Sequence, residues 1–216
     1  MKYFDRISTI QMAEPIPPLE NVEDNPELKQ LGTRLFEGKK IRRTSSNTKL
    51  YIGDHIGVSD ISEYQSIIEE FNGEHLLFAD RLSRLTDRSH MAESVLFVLT
   101  NHFCILNSRL GPNDTIPTYE IGLIQKISTS KQTDNAIVIH LPDYHSELLM
   151  TPFKTELVSI LYQQYQAITR NELPIEFQDT IRLPVSEAAD FEINFVRGGS
   201  GVKMTLFCVA SESRVV

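Results

Sequence analysis

The strongest chemical signal in the sequence is a cluster of cations within EGKKIRRTSSNTKL, residues 37–50. The stretch carries five cations, at Lys39, Lys40, Arg42, Arg43 and Lys49. Lysine supplies a compact point charge and arginine a planar fork of donors, and both bind phosphate and carboxylate groups. We therefore expect residues 39–49, called the basic stretch below, to bind anions.

Two hydroxyl side chains, Thr44 and Ser45, follow the arginine pair directly, which is a spacing that basophilic kinases favour. A phosphate on either residue adds about −1.5 to −2 charges. Two phosphates would offset most of the positive charge of the basic stretch and release it from an anionic surface. The sequence predicts Thr44 and Ser45 as candidate regulatory phosphorylation sites, against the alternative of an unmodified loop.

The basic stretch stands out because the chain as a whole is acidic, with a formal net charge of −8. Residues 1–28 carry a net charge of −4, residues 29–49 carry +6 and residues 50–216 carry −10. A net-negative chain is not drawn non-specifically to nucleic acid or to anionic lipid, so only the second block can be. The basic stretch also lacks aromatic residues between its cations, which argues against a nucleic-acid partner.

No catalytic or metal-binding motif accompanies these charges. The six histidines do not form the helical His/Glu pattern of metalloproteases, and no Cys-x-x-Cys or Gly-x-Ser-x-Gly occurs. RGGSGVKM, residues 197–204, lacks the ending of a phosphate loop and precedes a strand, so it predicts a hairpin turn. The sequence predicts a protein that is not an enzyme and takes no cofactor or metal, with its histidines at the surface or at strand edges.

Two features bear on the cellular compartment. No apolar run reaches the roughly 18 residues of a membrane span, and the N-terminus lacks the apolar segment of a secretory signal. Cys104 and Cys208 are too few for a disulfide framework, which favours a reduced, cytosolic protein and leaves open whether the two pair.

The predicted elements begin after residues 1–25, an acidic, proline-rich linker that we expect to be flexible. A helix follows, with Asn25 as its N-cap and Pro26 at its first position. A second helix is predicted over 60–73, where Asp60 begins a capping-box pattern and apolar residues recur at helical spacing.

From residue 75 the apolar period changes to that of strands. A hairpin turning at Thr100 and a long β-rich segment over 118–130 lead through two further strands to a long helix, with Thr151 as its N-cap. Three more strand-like segments follow. The order predicts an α+β fold, a pleckstrin-homology-like antiparallel β-barrel or curled sheet capped by a long helix.

The predicted domain covers residues 26–216 and carries N-terminal helices and a C-terminal β extension around that core. The core is expected at about 75–170 and the extension at about 175–210.

At KKIRRTSSNTKLYIGDHIGV, residues 39–58, the sequence resembles the start of the tail homology 1 domain of class I myosins, where a basic run leads into a GDYLG-like motif. Four further segments are similar to that family in the same order: FADRLSRLTDR, SVLFVLTNHFCIL, YHSELLMTPFKTELVSILYQQYQAITRNELPIEF and FVRGGSGVKMTLF. The resemblance covers about residues 35–208, and five segments in register make it specific.

The resemblance implies a pleckstrin-homology-like core whose role is to dock an actin-based motor on acidic phospholipids, including phosphoinositides. The motor and calmodulin-binding motifs are absent from this sequence. The resemblance therefore implies an excised tail or a stand-alone tail-like protein with no ATPase of its own.

The chain departs from the family at the family's phosphoinositide site. The lysine of the first core strand corresponds to Leu85, and the basic residues before the next strand correspond to about residues 93–95, which are Glu, Ser and Val. The second half of that site is therefore lost. The cations that remain nearby are Arg81, Arg84 and Arg88, with His90, and they form a weaker or relocated site or ordinary surface charge.

Three functions remain open. The first is weak, salt-sensitive docking on acidic phospholipids, with contacts at Lys39, Lys40, Arg42, Arg43, Lys49, Arg81, Arg84 and Arg88. The second is a protein-interaction module of the actin cytoskeleton, which binds a cytoskeletal or adaptor protein through an acidic surface. The third is a small-molecule-binding barrel, which requires an internal pocket. The first two predict a cytoplasmic protein, peripheral at the membrane or cell cortex.

Overall fold

The structure, a computed structural model, describes the residue ranges 24–42, 49–58, 75–85, 92–100, 102–107, 118–143, 146–184, 189–199 and 201–210. Most of the predicted linker and the predicted helix over 60–73 lie outside these ranges. The same is true of five residues singled out above, which are Arg43, Thr44, Ser45, Arg88 and His90.

The first helix, α1, spans Pro26–Phe36, as its capping residues predict. The Asn25 side chain accepts a hydrogen bond of 3.0 Å from the Leu28 N–H. Pro26 lies in the first turn, where its missing N–H removes no intrahelical bond. Leu28 and Phe36 are buried, so the helix adds an apolar face to the body of the protein.

Eight strands form one sheet in the order β4-β3-β2-β1-β7-β6-β5-β8. The strands are β1 (Phe78–Leu85), β2 (Ala92–Leu99), β3 (His102–Asn107), β4 (Thr118–Glu120), β5 (Lys126–Thr129), β6 (Ala136–His140), β7 (Ser146–Met150) and β8 (Ile175–Phe177). Strands β1 to β4 form one antiparallel meander and β5 to β7 a second, and antiparallel pairing of β1 with β7 joins them. The predicted hairpins are confirmed.

The second helix, α2, spans Lys154–Thr169 and buries its apolar face against the sheet. The prediction of Thr151 as its N-cap is wrong, because the helix begins three residues later. Thr151 Oγ1 instead accepts from the Phe153 N–H at 3.0 Å and donates to Asp80 Oδ2 at 2.8 Å. Thr151 therefore fastens the start of the helix to β1.

One apolar core lies between the two helices and the eight-stranded sheet. Gly32 of α1 allows the helices to approach closely, since a Cβ there would lie 2.7 Å from Ser159 Oγ of α2. The largest fully buried side chains are Phe36, Phe78, Phe97, Leu99, Ile121, Ile124, Ile127, Ile137, Ile139 and Leu149. Tyr51 and Val58, from the segment that precedes β1, are buried as well. The elements before the large sheet are thus part of the core that it covers.

Three further strands, β9 (Thr180–Pro184), β10 (Ala189–Gly198) and β11 (Gly201–Ala210), form a separate antiparallel sheet in the order β11-β10-β9. Ile193 and Phe195 are buried in a second apolar cluster that includes Val138 of β6 and Leu148 of β7. The pairing of β10 with β11 runs to Gly198 and Gly201, which confirms the predicted hairpin at the glycine-rich turn.

Two details differ from the sequence prediction. The β-rich segment over 118–130 is divided by a 3₁₀ turn, Ile121–Leu123, whose Ile121 is buried in the core. Residues 175–177 pair in parallel with β5, so the large sheet is mixed and the separate C-terminal sheet begins at Thr180.

Candidate anion-binding site

The basic stretch is fixed to the body of the protein at its start by Lys40. The Lys40 ammonium donates to Asp134 Oδ2 at 2.7 Å and to the Ser130 carbonyl at 2.9 Å, both in the loop between β5 and β6. The neighbouring Ile41 N–H donates to the Lys131 carbonyl at 2.8 Å. Only 6% of the Lys40 side chain is exposed, so this cation holds the stretch in place instead of facing solvent.

Asp134 is shared between two cations. Its second oxygen accepts from the buried ammonium of Lys154, at the first position of α2, at 3.1 Å. Burial alone would raise the pKa of Asp134, but the two ammonium groups lower it to about 2. Burial lowers the pKa of Lys154, and the charge of Asp134 opposes that shift, so this cluster carries no fixed surplus of positive charge near neutral pH.

The far end of the basic stretch is fixed by Lys49. Its ammonium donates to the Pro152 carbonyl at 2.7 Å and lies 4.8 Å from the centre of the Phe153 ring. The Phe153 ring in turn stacks on the buried imidazole of His55, with 3.4 Å between centroids. Both ends of the stretch therefore lie near the start of α2.

The GDHIG motif, residues 53–57, has a structural role in positioning this segment. Glu156 of α2 accepts from the Gly53 N–H at 2.7 Å, and its other oxygen lies 2.7 Å from His55 Nε2. Gly53 has φ +74°, and a Cβ there would lie 2.7 Å from the Leu77 carbonyl oxygen, so another residue would be strained. Asp54 Oδ1 accepts from the N–H groups of Ile56 and Val58.

The outward-facing groups at this end are cationic and aliphatic. We call Lys39, Ile41, Arg42, Lys49, Leu50 and Lys131 together the basic end. Lys39 is exposed, with its ammonium 5.6 Å from the centre of the Phe177 ring. Arg42 is half-buried, and its Nε has no hydrogen-bond partner among the residues that the structure describes.

Lys131 is a member of the basic end that sequence reasoning missed. In the sequence it lies about 90 positions after Lys40, and none of the other candidate cations is close to it. The hydrogen bond from Ile41 to its carbonyl brings it beside the basic stretch. A solvent-exposed lysine in a tight loop carries no local signal, because only the pairing of β5 with β6 places that loop here.

The structure places Arg84 away from the basic end. Its guanidinium binds both carboxylate oxygens of Glu147 on β7 at 2.7 Å, and the Tyr119 hydroxyl donates to Glu147 at 2.8 Å. We call Arg84, Glu147 and Tyr119 the Arg84 network. Arg84 lies four residues beyond Asp80, which contacts the start of α2, so the two sites are separated by about 13 Å along β1.

The environment of the Arg84 network keeps its charges paired. Burial alone would lower the pKa of Arg84, but the hydrogen bonds and charge of Glu147 raise it above its ordinary value. Burial and the same carboxylate raise the pKa of Tyr119. Glu93 pairs across from Arg84 on β2, at the position where the resemblance implies a basic residue. Arg81, on the same strand, is exposed.

The prediction that the histidines lie at the surface is wrong for His55 and His140, which are both buried. His140 Nε2 lies 2.8 Å from Ser128 Oγ, and burial lowers its pKa to about 4. Each ring completes an internal hydrogen-bond pair, which explains how an imidazole is accommodated in the core.

Two antiparallel meanders, β1–β4 and β5–β7, joined by the pairing of β1 with β7 and followed by a long helix, form a pleckstrin-homology-like layout. The chain belongs to the myosin TH1 family, described as "unconventional myosin tail, actin- and lipid-binding", which matches residues 42–210. The family and the predicted fold class are thus confirmed.

Myosin heavy chains from amoebae are among the relatives. Myosin IB heavy chain of Dictyostelium discoideum is 24% identical over 74% of this chain and 15% of its own length. Myosin IC heavy chain of Acanthamoeba castellanii is 28% identical over 85% of this chain and 17% of its own length. The chain therefore spans less than a fifth of the curated relatives that it matches.

Among solved structures, the N-terminal PH domain of human ARAP2 aligns with 42% of this chain and 80% of its own, at 11% identity and a TM-score of 0.37. In the part of the chain that the structure describes, no helix has the length and apolarity needed to cross a bilayer.

Proposed function

We propose that this chain is the membrane-targeting tail module of a class I myosin, or a stand-alone protein of that type, and that it docks on acidic phospholipids through the basic end. The observation that carries the proposal is the anchoring of the basic stretch. Lys40 attaches the start of the stretch to the β5–β6 loop, and Lys49 attaches its end to Pro152, just before α2. Asp134 of that loop accepts from both Lys40 and Lys154. This anchoring places Lys39 and Arg42 beside Lys131 of the β5–β6 loop, where the Asp179 carboxylate accepts from the Lys131 N–H and offsets part of their charge.

The magnitude of the attraction predicts weak binding. Each cation close to an anionic leaflet contributes about 1 kcal/mol, so Lys39, Arg42 and Lys131 together supply roughly 3 kcal/mol. The net charge of −8 on the whole chain opposes this attraction, and screening over about 8 Å at physiological salt reduces both effects. Binding is expected at low salt and is expected to fall steeply as salt is added.

Co-sedimentation of the full chain with phosphatidylcholine vesicles that contain phosphatidylserine or a phosphoinositide tests the proposal. The triple variant K39Q/R42Q/K131Q is expected to lower vesicle affinity by about 10- to 100-fold at low salt. The control R170Q/R197Q/K203Q removes the same charge from α2 and from the β10–β11 hairpin. Equal losses in the two variants, or no binding by the unmodified chain at low salt, would contradict the proposal.

A second candidate is a protein-interaction module of the actin cytoskeleton that uses an acidic surface. Residues 50–216 carry a net charge of −10, and Glu147 already pairs with Arg84, which supports an acidic body with little lipid affinity. In that case the chain co-sediments with actin filaments or binds an adaptor while ignoring acidic vesicles. Under either candidate, we expect a cytoplasmic protein that is peripheral at the membrane or cell cortex.

A further inference from the structure

Residues 13–23, called the acidic segment below, join the described structure at Asp24, beside the basic end. The Asn25 N–H donates to the Tyr51 carbonyl at 3.0 Å, and the Tyr51 N–H donates to Asp24 Oδ1 at 2.8 Å. Tyr51 directly follows Leu50 of the basic end. The acidic segment is therefore tethered, through Asp24, at the point where the chain leaves the basic end.

The charges of the two regions meet at Tyr51. Burial raises the pKa of the Tyr51 hydroxyl to about 12, while the charge of Arg42 opposes this shift and the charge of Asp24 adds to it. Arg42 belongs to the basic end, and Asp24 directly follows the acidic segment. A cation of the first region and the tether of the second therefore lie within electrostatic reach of one hydroxyl group.

The acidic segment contains two rows of side chains and no cation. Its acidic row consists of Glu14, Glu20 and Glu23. Its aliphatic row consists of Ile16, Leu19 and Val22. Three prolines favour the polyproline II helix, which has three residues per turn. Because the members of each row are spaced at multiples of three, that conformation places the glutamates on one side and the aliphatic residues on another.

The basic end offers the complementary groups. Lys39 and Lys131 are exposed cations, and Arg42 between them in space is half-buried. Two aliphatic side chains accompany these cations, Ile41 at 45% exposure and Leu50 at 49%. A segment that carries glutamates beside aliphatic residues can pair with both kinds of group, whereas a purely acidic tail would leave the aliphatic side chains uncovered.

The acidic segment is also long enough to run along the basic end. Lys40 and Lys49, which hold the two ends of the basic stretch, are nine positions apart, so their Cα atoms are separated by at most about 32 Å. Eleven residues of polyproline II span about 34 Å. A short tether gives an effective concentration on the order of millimolar, so weak contacts are sufficient for intramolecular binding.

We propose that the acidic segment covers the basic end in the free protein, with its glutamates on the cations and its aliphatic row on Ile41 and Leu50, and that an acidic surface binds by displacing it. The intramolecular contact stands by itself, whereas the displacement rests on the proposed function. The tether favours this occupant over an acidic protein in solution, because a separate partner has to compete with the effective concentration of the segment.

Zero-length carbodiimide cross-linking of the full chain tests the contact without a membrane. The reagent joins a carboxylate to an amine in direct contact, so cross-links from Glu20 or Glu23 to Lys39 or Lys131 are expected in the monomer fraction, where mass spectrometry identifies them. About 0.5 M salt is expected to lower their yield, because it screens the ion pairs. The variant I16S/L19S/V22S is expected to lower the yield as well, because it removes the aliphatic row.

Vesicle co-sedimentation of the full chain tests the displacement. On vesicles of phosphatidylcholine and phosphatidylserine at low salt, E14Q/E20Q/E23Q is expected to bind about three- to tenfold more tightly than the unmodified chain. The control E120Q/D143N/E172Q removes the same charge from exposed carboxylates at the end of β4, in the β6–β7 turn and after α2. The control is expected to bind much like the unmodified chain.

The outcomes separate the two proposals. If no cross-link joins the acidic segment to the basic end and E14Q/E20Q/E23Q binds like its control, this inference is wrong and the proposed function stands. If the cross-links appear only in dimers, the occupant is a second copy of the chain and the intramolecular contact is refuted. If they form but the two variants bind vesicles equally, the displacement is refuted. If they form and neither the unmodified chain nor E14Q/E20Q/E23Q binds vesicles, the contact is supported and the proposed function falls.

Discussion

The basic end lies beside the carboxylate of Asp134, and the Arg84 network contains the carboxylate of Glu147. The two regions differ in the number of cations that surround each carboxylate. At the basic end Asp134 is shared by two lysines, and further cations lie around them. In the Arg84 network one arginine is matched by one glutamate, with a tyrosine hydroxyl as an additional donor. The first region therefore has further cations, Lys39, Arg42 and Lys131, beside its internal ion pair, whereas the single arginine of the second region is already paired.

This difference shows that cations in a sequence are not equivalent candidates for anion binding. Lys40 and Arg84 each form an ion pair with an internal carboxylate. Lys39 is exposed beside the Phe177 ring, and the Arg42 Nε has no hydrogen-bond partner among the described residues. The paired cations still matter, because the ion pair of Lys40 holds the start of the basic stretch in place. The lipid contacts predicted from the sequence stay predictions. The structure divides these residues into those that bind other parts of the protein and those that remain candidates for contact with lipid.

The largest expected effect comes from removing the shared carboxylate. Asp134→Asn leaves two buried ammonium groups without their counter-charge, which is expected to lower the free energy of unfolding by about 3 kcal/mol. Urea denaturation measures the change. Asp179→Asn is the matched control, since that half-buried carboxylate accepts from the Lys131 N–H and from the Gln132 side chain and not from a described lysine or arginine side chain. A loss no larger than that of the control would refute the role given to Asp134.

The next effect is a dependence on pH near the Arg84 network. His140, whose strand neighbour Ile139 pairs with Glu147, has a folded-state pKa of about 4, against about 6.5 when unfolded. Its stabilising contribution is complete above pH 6.5 and is lost as pH falls toward 4, because only the unfolded chain binds the proton. The loss reaches about 2–3 kcal/mol. Nearby Lys126 opposes protonation of the ring, whereas Glu176 favours it.

Thermal unfolding between pH 7 and pH 4.5 tests this dependence against His140→Gln, which cannot titrate but keeps a donor for Ser128. The variant is expected to show a flatter profile over that range. Identical slopes for the two proteins would assign the acid sensitivity to other groups.

A smaller effect is expected in the Arg84 network itself. Glu147→Gln removes one charge from a pair whose arginine side chain is 23% exposed, so about 1–2 kcal/mol of stability is expected to be lost. The double variant R84Q/E147Q is expected to recover part of that loss, and a double-mutant cycle by urea denaturation measures the coupling. Additive losses would mean that the pair is not coupled, and the contrast with the basic end would disappear.

The smallest effect concerns Thr44 and Ser45, which stay predictions because they lie outside the described ranges. The variant T44E/S45E adds two negative charges within the basic stretch and is expected to reduce vesicle affinity by about three- to tenfold at low salt. T44A/S45A is the control and is expected to bind like the unmodified chain. Equal affinity of the two variants would remove the proposed switch.

Much of the fold was predictable because local signals were strong. The cap formed by Asn25 and Pro26 and the hairpin at Thr100 are local features, and the structure has both elements where they predict them. The interruption at Ile121–Leu123 and the parallel pairing of β8 depend on distant partners, so β-rich composition did not reveal them. The start of α2 was misplaced because Thr151 bonds to Asp80, 71 positions away.

The candidate site was predictable only in its charge. The density of cations near residue 40 is visible in the sequence, but the partners of those cations are not. Asp134 follows Lys40 by 94 positions and Glu147 follows Arg84 by 63, so no local pattern reports either pairing. Lys131 was missed for the same reason. Separating anchors from outward-facing cations required the three-dimensional arrangement of the β5–β6 loop and α2.

The burial of Tyr51 and Val58, together with Phe36 of α1, sets the shortest piece of this chain that can be made on its own. Each of these side chains fills part of the main core, and burying one such side chain contributes about 1.5–3 kcal/mol. A truncation that begins at β1 would keep every strand of the large sheet but remove three side chains that are buried in the intact chain. Boundaries drawn before Asp24 would retain both the packing and the basic stretch, and reporters or tags belong upstream of that point.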